Sequence, residues 1–419
     1  MPKSKTARLI YVDPINNNNK FYNLDLFDDG RLEINWGRVG ANGQFQTTHG
    51  GERTFNSKIK SKEKKGYVVQ KTVQTDTIVD VPTGDLTNLA KNQIKTDSTL
   101  AETLIERLVK ANIHQITSNT QIKYDSKSGV FQTPLGVVTL EGIGEAKELL
   151  EKMSNLKDKT CDTFYKHAGN YLKIIPQKVG SKVKTFIDNN FAEADKMTSQ
   201  FDLLESLEVS FNTITNLTAE PTDTTEDVVE EQVFDLSIEI LEDKVEHKRL
   251  SDNFYNSKKG MHNYGNVKIK NIYKVKLGDM DRDFDNKNWG NIQEFYHGTG
   301  IANCLSIMKA GLKVAPPSTA AIAGKLFSNG VYGATSSSKS LGYSLGRWGQ
   351  GRSNDGAWLF VCDFAMGNTE MVTSCWGTYP NKGYDSVTAL AKNTSLYNDE
   401  FIVYTNQQVN IKYLIECST

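Results

Sequence analysis

The sequence predicts a multidomain α+β protein, and three observations carry the prediction. Residues 6–80 alternate apolar and polar positions between glycine-bearing turns, the pattern of a small β-rich domain. Residues 98–215 repeat apolar side chains at helical spacing, the pattern of an α-helical bundle. From about residue 230, six or seven strand-like runs with few helical stretches between them describe an α+β domain with mostly antiparallel sheets. With 419 residues, the chain is long enough for two or three such domains.

In the first domain, expected over 1–80, "KFYNLDLF" alternates, "DDG" signals a hairpin turn and "RLEINWGRV" reads as the returning strand. "GANGQ" is the next turn and "FQTTHG" a third short strand. "TFNSKIKSKEKKGYV" predicts a basic helix ending at Gly66. Residues 81–97, with Pro82 and Gly84, read as a linker. The helical region, expected over 98–216, opens on the cap-like "TDST". Leu100, Leu104, Ile105, Leu108 and Val109 follow at helical spacing. "EAKELLEKMSNL" gathers Ala146, Leu149, Leu150 and Met153 on one side, and "KVKTFIDNNF" and "ADKMTSQFDLLESLEV" continue the pattern. These stripes are core positions. Residues 217–229 read as an acidic linker, and 230–419 as the last domain. Its strands are "VFDLSIEIL", "NVKIKNIYKVKL", "EFYHG", "GVYGA", "AWLFVCDFAMG", "EFIVYT" and "QVNIKYLIEC".

Charge is uneven. The formal net charge is −1, which excludes a uniformly basic nucleic-acid coat. Yet residues 1–80 hold 13 Lys and Arg against 9 Asp and Glu, while residues 217–246 hold 11 acids against Lys244 alone. The five cysteines are scattered with no CxxC, against a zinc ribbon and consistent with a reducing compartment. The first residues lack the apolar core of a secretory signal. No window approaches the roughly 18 apolar residues of a membrane span.

The chemistry gathers in the last domain. His297, one of six histidines, stands in "EFYHGTG". "GYSLG" at 342–346 matches a nucleophile elbow at Ser344, but the residues before it, "ATSSSKSL", are not an apolar strand. All six histidines also precede the serine, against the α/β-hydrolase order. "GATSSSKS" at 333–340 lacks the second glycine of a phosphate-wrapping loop. His297 has no metal-ligand partner at useful spacing, Cys304 standing alone seven residues on. What remains is His297-Gly298-Thr299 ending one strand, then Tyr332, Ser340 and Tyr343, then Glu400 heading a strand. This set suits a glycosidic bond with a good leaving group. An aromatic ring stacks on a planar heterocycle, a serine and a glycine backbone hold an amide, and a carboxylate holds a ribose hydroxyl beside an oxocarbenium-like centre.

Here the residues carry a family resemblance. "YHGTGIANCLSIMKAGLKVAPPSTAAIAGKLFSNGVYGATSSSKSLGYS" resembles the NAD-binding block of the poly(ADP-ribose) polymerases, and "LYNDEFIVYTNQQVNIKYLIE" their closing strands. "TPLGVVTLEGIGEAKELLEKM" and "NYLKIIPQ" are similar to the helical regulatory domain of the DNA-dependent members. "LEINWGRVGANGQ" is similar to their WGR domain. The resemblance implies a WGR DNA-binding domain, a helical regulatory domain and an ADP-ribosyltransferase domain. It implies NAD+ as substrate with no metal, and DNA breaks or ends and acceptor proteins, including the chain itself, as partners. It implies no membrane. A nuclear location follows in a eukaryotic source, and otherwise the cytoplasm at the nucleoid.

By the same resemblance His297, Tyr343 and Glu400 form the triad. His297 holds the adenosine ribose, and Gly298 and Ser340 pair with the carboxamide. Tyr343 and Tyr332 flank the nicotinamide, and Glu400 binds the nicotinamide ribose and orients the acceptor. Thr299, Asn303 and Lys313 complete the NAD-binding set, and Trp36, Gly37 and Arg38 meet a DNA end. Lys58, Lys60, Lys62, Lys64 and Lys65 add attraction to the DNA backbone. The chain departs from the family pattern at Tyr296, Gly300, Lys313 and Lys325, all on the adenosine or elongation side, while Asn303 and Gly324 are kept. Expected is a DNA-dependent transferase, with mono-ADP-ribosylation of protein or DNA ends, or a DNA-end-binding adaptor with a silent transferase fold, as alternatives.

Overall fold

A computed structural model describes residues 2–70, 86–96, 98–125, 130–133, 136–215, 234–278, 280–286, 288–314, 326–346, 356–375, 377 and 379–418. The expected acidic linker 217–229, and Gly324 and Lys325, lie outside the described residues. The chain divides into two compact units, one drawn from residues 1–85 and 115–220, the other from 86–114 and 221–419.

The first unit opens with strands β1 (Lys3–Asp13), β2 (Asn18–Phe27), β3 (Arg31–Arg38) and β4 (Gln44–His49), followed by helix α1 (Gly51–Glu63) and the short β5 (Val68–Val69). They form one antiparallel sheet in the order β4-β3-β2-β1-β5. The "DDG" turn forms as expected, Gly30 N donating to Phe27 O at 2.9 Å. Alternation puts Leu24, Leu26, Leu32 and Ile34 on the buried face. Helix α1 lays Phe55 and Ile59 on that face, while Lys60 and Lys64 stay exposed and Lys62 folds back over the Tyr22 ring.

The segment 81–97, expected as a linker, contains helix α2 (Leu86–Gln93) and the two-residue strand β6 (Lys95–Thr96). Helix α3 (Thr99–Asn119) follows, and the boundary between the two units falls inside it. Its start is capped as the sequence implied, Ser98 Oγ accepting from Ala101 N at 3.2 Å. The buried stripe is shifted, however. Ala101 is enclosed and Leu100 exposed, because the face is completed by the small residue in the first turn.

The chain then forms a small antiparallel sheet of β7 (Lys123–Asp125), β8 (Val130–Thr133) and β9 (Gly136–Val137). Helices α4 (Leu140–Asn155), α5 (Asp162–Ile174), α6 (Val183–Phe191) and α7 (Ala194–Thr215) complete the first unit. Thr139 caps α4, accepting from Gly142 N at 3.1 Å. Ile143, Ala146, Leu150 and Met153 make the buried face of α4, with Leu149 at its edge instead of inside.

The second unit adds β10 (Leu236–Ile240), α8 (Lys244–Asn256), β11 (Lys268–Leu277), α9 (Met280–Asn286), β12 (Ile292–Thr299) and α10 (Ile301–Ala310). It continues with β13 (Val331–Gly333), α11 (Ser337–Ser344), β14 (Ala357–Ala365), β15 (Thr369–Met371), β16 (Ser386–Ala389), β17 (Glu400–Val403) and β18 (Val409–Ser418). One sheet runs β12-β14-β18-β11-β10-β6 and the other β13-β17-β16-β15. Pairing is antiparallel except for β10 with β6 and β15 with β16. The expected sheets form, but with more helix between them than the sequence reading allowed. Helix α11 escapes pattern reading because "SSKSLGYS" is poor in helix formers and polar yet almost wholly buried.

Arg107 of α3 pairs with Glu416, a carboxylate buried in β18 that also receives Lys270 Nζ at 2.9 Å and Asn271 Nδ2 at 2.8 Å. The guanidinium lies 5.1 Å from the Trp358 ring centroid. Residues 86–114 therefore belong physically to the second unit.

Candidate active site

Strand β12 carries Tyr296, His297, Gly298 and Thr299 to the end of the larger sheet, opposite Val361, Phe360, Leu359 and Trp358 of β14. Tyr296 and Ala334 exchange two backbone hydrogen bonds, of 2.8 and 3.1 Å. The link joins β12 to the residues just after β13, so both sheets contribute to one place.

Helix α11 packs against β12 at Gly298. A Cβ there would stand 1.8 Å from the backbone oxygen of Ser340, so only glycine lets the two backbones approach this closely. Ser340 Oγ donates to Tyr296 O at 3.2 Å, fixing its side chain beside the same strand.

His297 is half-buried, and Nδ1 lies 3.0 Å from Tyr332 O. A carbonyl only accepts, so Nδ1 carries the proton and Nε2 is left as an acceptor. Burial holds the imidazole pKa below its ordinary value, outweighing the opposite pull of that hydrogen bond. The ring is therefore a neutral hydrogen-bonding group. Tyr332 is anchored through its hydroxyl, which donates to Ser328 O and accepts from Phe327 N, both at 2.9 Å.

Tyr343, on the last turn of α11, is 39% exposed. Burial first, then the nearby Glu400 carboxylate, push its hydroxyl pKa up to about 12. The same carboxylate, together with Tyr343, acts on Tyr332, whose pKa burial also raises. His297, Tyr332, Tyr343 and Glu400 thus share one neighbourhood.

Glu400 opens β17 opposite Ala389. Its side chain is largely enclosed, 14% exposed, and ion-pairs with Lys339, which itself is 5% exposed and also donates to Asp399 O at 3.2 Å. Desolvation pushes the Glu400 pKa up, and the Lys339 ammonium pulls against it without reversing the direction. Sequence reasoning missed Lys339. The available signal was a lysine inside a run of small residues, "SSSKSL", where a charge needs a partner if the run is buried.

The other expected site residues follow along the chain from β12. Thr299 is enclosed in the sheet, Asn303 lies in the first turn of α10, and Lys313 is exposed in the loop beyond that helix. Ser344 is buried, its Oγ accepting from Trp358 N at 2.6 Å, a structural cap and not a nucleophile. Among the described residues no cluster of three His, Cys, Asp or Glu could hold a metal ion. No helix there is long and apolar enough to cross a membrane.

In the first unit Trp36 is half-buried, its ring 6.2 Å from that of Tyr22, at the edge of the apolar cluster. Gly37 permits a tight turn-back, since a Cβ would lie 2.8 Å from Gly43 Cα. Arg38 differs from expectation. Its Nε donates to Gly180 O at 2.9 Å and Nη2 to Ser181 O at 3.0 Å, while Nη1 reaches Asn17 O at 3.3 Å. The guanidinium is occupied by carbonyls, so a phosphate would have to displace them.

Comparison with known proteins matches residues 244–395 to the family described as poly(ADP-ribose) polymerase catalytic domain, and residues 5–74 to the WGR domain. A poly [ADP-ribose] polymerase of Drosophila melanogaster is 23% identical over 95% of this chain and 44% of its own length. Poly [ADP-ribose] polymerase 1 of Caenorhabditis elegans is 23% identical over 98% of this chain and 48% of its own. Poly [ADP-ribose] polymerase 2-A of Oryza sativa subsp. japonica is 24% identical over 96% and 68%. The chain thus spans a little under half of the first two relatives and about two thirds of the third. The chain thus carries a WGR domain first and a poly(ADP-ribose) polymerase catalytic domain last, in a sequence similar along nearly its whole length to poly(ADP-ribose) polymerases.

Proposed function

We propose that the protein is an NAD+ ADP-ribosyltransferase that builds poly(ADP-ribose) on itself or on other proteins in response to DNA breaks. The observation that carries the reading is the buried Glu400–Lys339 pair beside Tyr343, Tyr332 and the neutral His297. Such a carboxylate in a partly desolvated cleft is suited to a centre that becomes positive only in the transition state.

In this reading the nicotinamide ring stacks on Tyr343, with Tyr332 on its other side. Its carboxamide pairs with the Gly298 backbone and the Ser340 hydroxyl. The adenosine ribose donates a hydroxyl to His297 Nε2, a role open only to the neutral ring that burial favours. Glu400 accepts from a hydroxyl of the nicotinamide ribose. The bond between that ribose and nicotinamide breaks with its electron pair passing to the ring nitrogen, and neutral nicotinamide leaves. The ribose carbon becomes oxocarbenium-like beside the carboxylate. An acceptor oxygen then bonds to that carbon, and its proton is released.

DNA dependence is proposed from the WGR domain and its charge. Lys62 is half-buried over Tyr22, 4.0 Å from the ring centroid, and its pKa is lowered by burial first and then by Lys65, Lys58 and Lys20. Four lysines crowd one place, a field that attracts phosphate and weakens with salt.

The test is labelled NAD+ with and without nicked DNA, resolved by gel. The expected result is nicotinamide release and a ladder of polymer that grows when DNA is present. Single additions would make the enzyme a mono-transferase, and intact NAD+ would leave a binding protein. Glu400→Gln is expected to lower transfer by about two to three orders of magnitude and to abolish long chains.

A further inference from the structure

Behind the cleft sits a buried histidine that no step above employs. His262 ends the short 3-10 turn Gly260–His262 and is 4% exposed. Its Nδ1 is 2.8 Å from Ser338 Oγ, and its Nε2 is 3.2 Å from Asn398 Nδ2. Ser338 immediately precedes Lys339 on α11, and Asn398 stands two residues before Glu400. One imidazole therefore touches the neighbours of both members of the buried ion pair.

We propose that His262 is a positioning residue that sets Glu400 and Lys339 in register. The proposal rests on the transferase reading above. The contacts close a ring. His262 binds Ser338, the chain continues to Lys339, and Lys339 reaches the Glu400 carboxylate and Asp399 O. The chain then runs back to Asn398, which returns to His262. The Oδ1 arm of Asn398 is buried without a hydrogen-bond partner among the described residues, so His262 is the hold on that amide.

The hydrogens are consistent with one tautomer. Ser336 Oγ donates to Ser257 O at 2.9 Å, leaving its lone pairs for Ser338 Oγ at 3.1 Å. Ser338 then spends its hydrogen on Ser336 and accepts from Lys259 N at 2.8 Å and from His262 Nδ1–H. Nε2 is left bare to accept from the Asn398 amide. Every donor meets an acceptor with His262 neutral. The first turn of α11 is stitched down in the same way, Ser337 Oγ donating to Phe254 O at 2.7 Å and Ser337 N to Ser257 Oγ at 3.1 Å. On the opposite side Asp399 Oδ1 accepts from Ala391 N at 2.7 Å. Helix and loop are each held by hydrogen bonds of their own, and His262 bridges them behind the direct Lys339–Glu400 pair. A carboxylate displaced by about 1 Å loses up to about a hundredfold in rate.

The experiment compares His262→Ala, His262→Gln, Asn398→Ala and the double variant in the full chain, with thermal melts on each. The readouts are kcat and KM for NAD+ consumption with nicked DNA, and the inhibition constant of nicotinamide. The expected result is kcat lower by about 10- to 100-fold in His262→Ala and Asn398→Ala, with KM and the nicotinamide constant within about twofold. The double variant should be no worse than about threefold below either single one. His262→Gln, whose amide reaches one partner, should recover part of the loss. A cooperatively folded His262→Ala with wild-type kcat overturns the proposal. So do losses in the double variant that simply multiply, and a kcat loss matched by equal weakening of nicotinamide, which marks general collapse. A wild-type chain that leaves NAD+ intact overturns the transferase reading instead, and the proposal falls with it.

Discussion

Gly37 in the first unit and Gly298 in the second perform the same mechanical task with different consequences. Each lets backbone pass where a Cβ would collide, with Gly43 Cα at 2.8 Å and with Ser340 O at 1.8 Å. Around Gly37 the flanking groups are consumed by the fold. Trp36 rests against Tyr22, and Arg38 is held by the carbonyls of Gly180 and Ser181. Around Gly298 less is consumed, with His297 keeping Nε2 as an acceptor and Tyr343 39% exposed. A short motif marks where backbones must come close. Whether its side chains act on a ligand or on the protein depends on what lies beside them.

Replacing each glycine by alanine is the strongest way to break the comparison. Gly298→Ala sets a methyl against a backbone oxygen that cannot rotate away, and should cost about 3 kcal/mol or more, with transfer activity lost. Gly37→Ala makes a smaller overlap, 2.8 Å from Gly43 Cα, and should cost about 1–2 kcal/mol. Urea unfolding with activity assays checks both. Equal destabilisation would mean the two approaches are equally tight.

Lys339→Met sharpens the active-site side. Glu400 already has a raised pKa, and removing the ammonium takes away the main opposing influence, so the pKa rises further. A reaction that needs the carboxylate then begins to lose rate at a higher pH as the solution is acidified, so the acid limb of the kcat profile moves upward. At neutral pH kcat should fall by about tenfold or more. Stability follows the same sign. A carboxyl whose folded pKa is raised contributes stability at pH below its unfolded value, and loses it as pH rises through the folded one. The variant should therefore weaken more steeply than wild type as pH climbs above the ordinary carboxylate range. An unmoved acid limb would separate Glu400 from the rate-limiting step.

Much of this was legible in the sequence where a pattern has a single physical meaning. Alternation with "DDG" specified β2 and β3, and the spacing of Leu104, Ile105 and Leu108 specified α3. The candidate residues His297, Tyr332, Ser340, Tyr343 and Glu400 stood out because their residue types suit one kind of bond cleavage, and their roles came from the family resemblance. Partnerships across long sequence distance were not legible. Nothing local says that Lys339 meets Glu400, that Arg107 meets Glu416, or that Arg38 meets residues 180 and 181. Helix α11 was hidden because burial, not propensity, makes it a helix.

The cluster around Arg38 lies on the first-unit side of the comparison. Asn17 Oδ1 accepts from Val183 N at 2.9 Å, capping helix α6 from the turn between β1 and β2, and its Nδ2 donates to Ser181 O at 3.0 Å. Arg38→Ala removes at least three hydrogen bonds to carbonyls and should cost about 1–3 kcal/mol of stability. Asn17→Ala removes the cap and should cost about 1 kcal/mol. DNA binding supplies the discriminating measurement. If Arg38 acts within the protein, its alanine variant keeps the wild-type slope of log affinity against log salt, whereas Lys62→Ala loses about one phosphate's worth of slope. The two variants at the clasp should then resemble each other in DNA stimulation of transfer, because both loosen the same turn. A slope reduced by about one in Arg38→Ala would instead mean that DNA draws the guanidinium off its carbonyls. Gly37 and Gly298 would then be more alike than their contacts within the protein make them, since the groups beside both would reach a ligand.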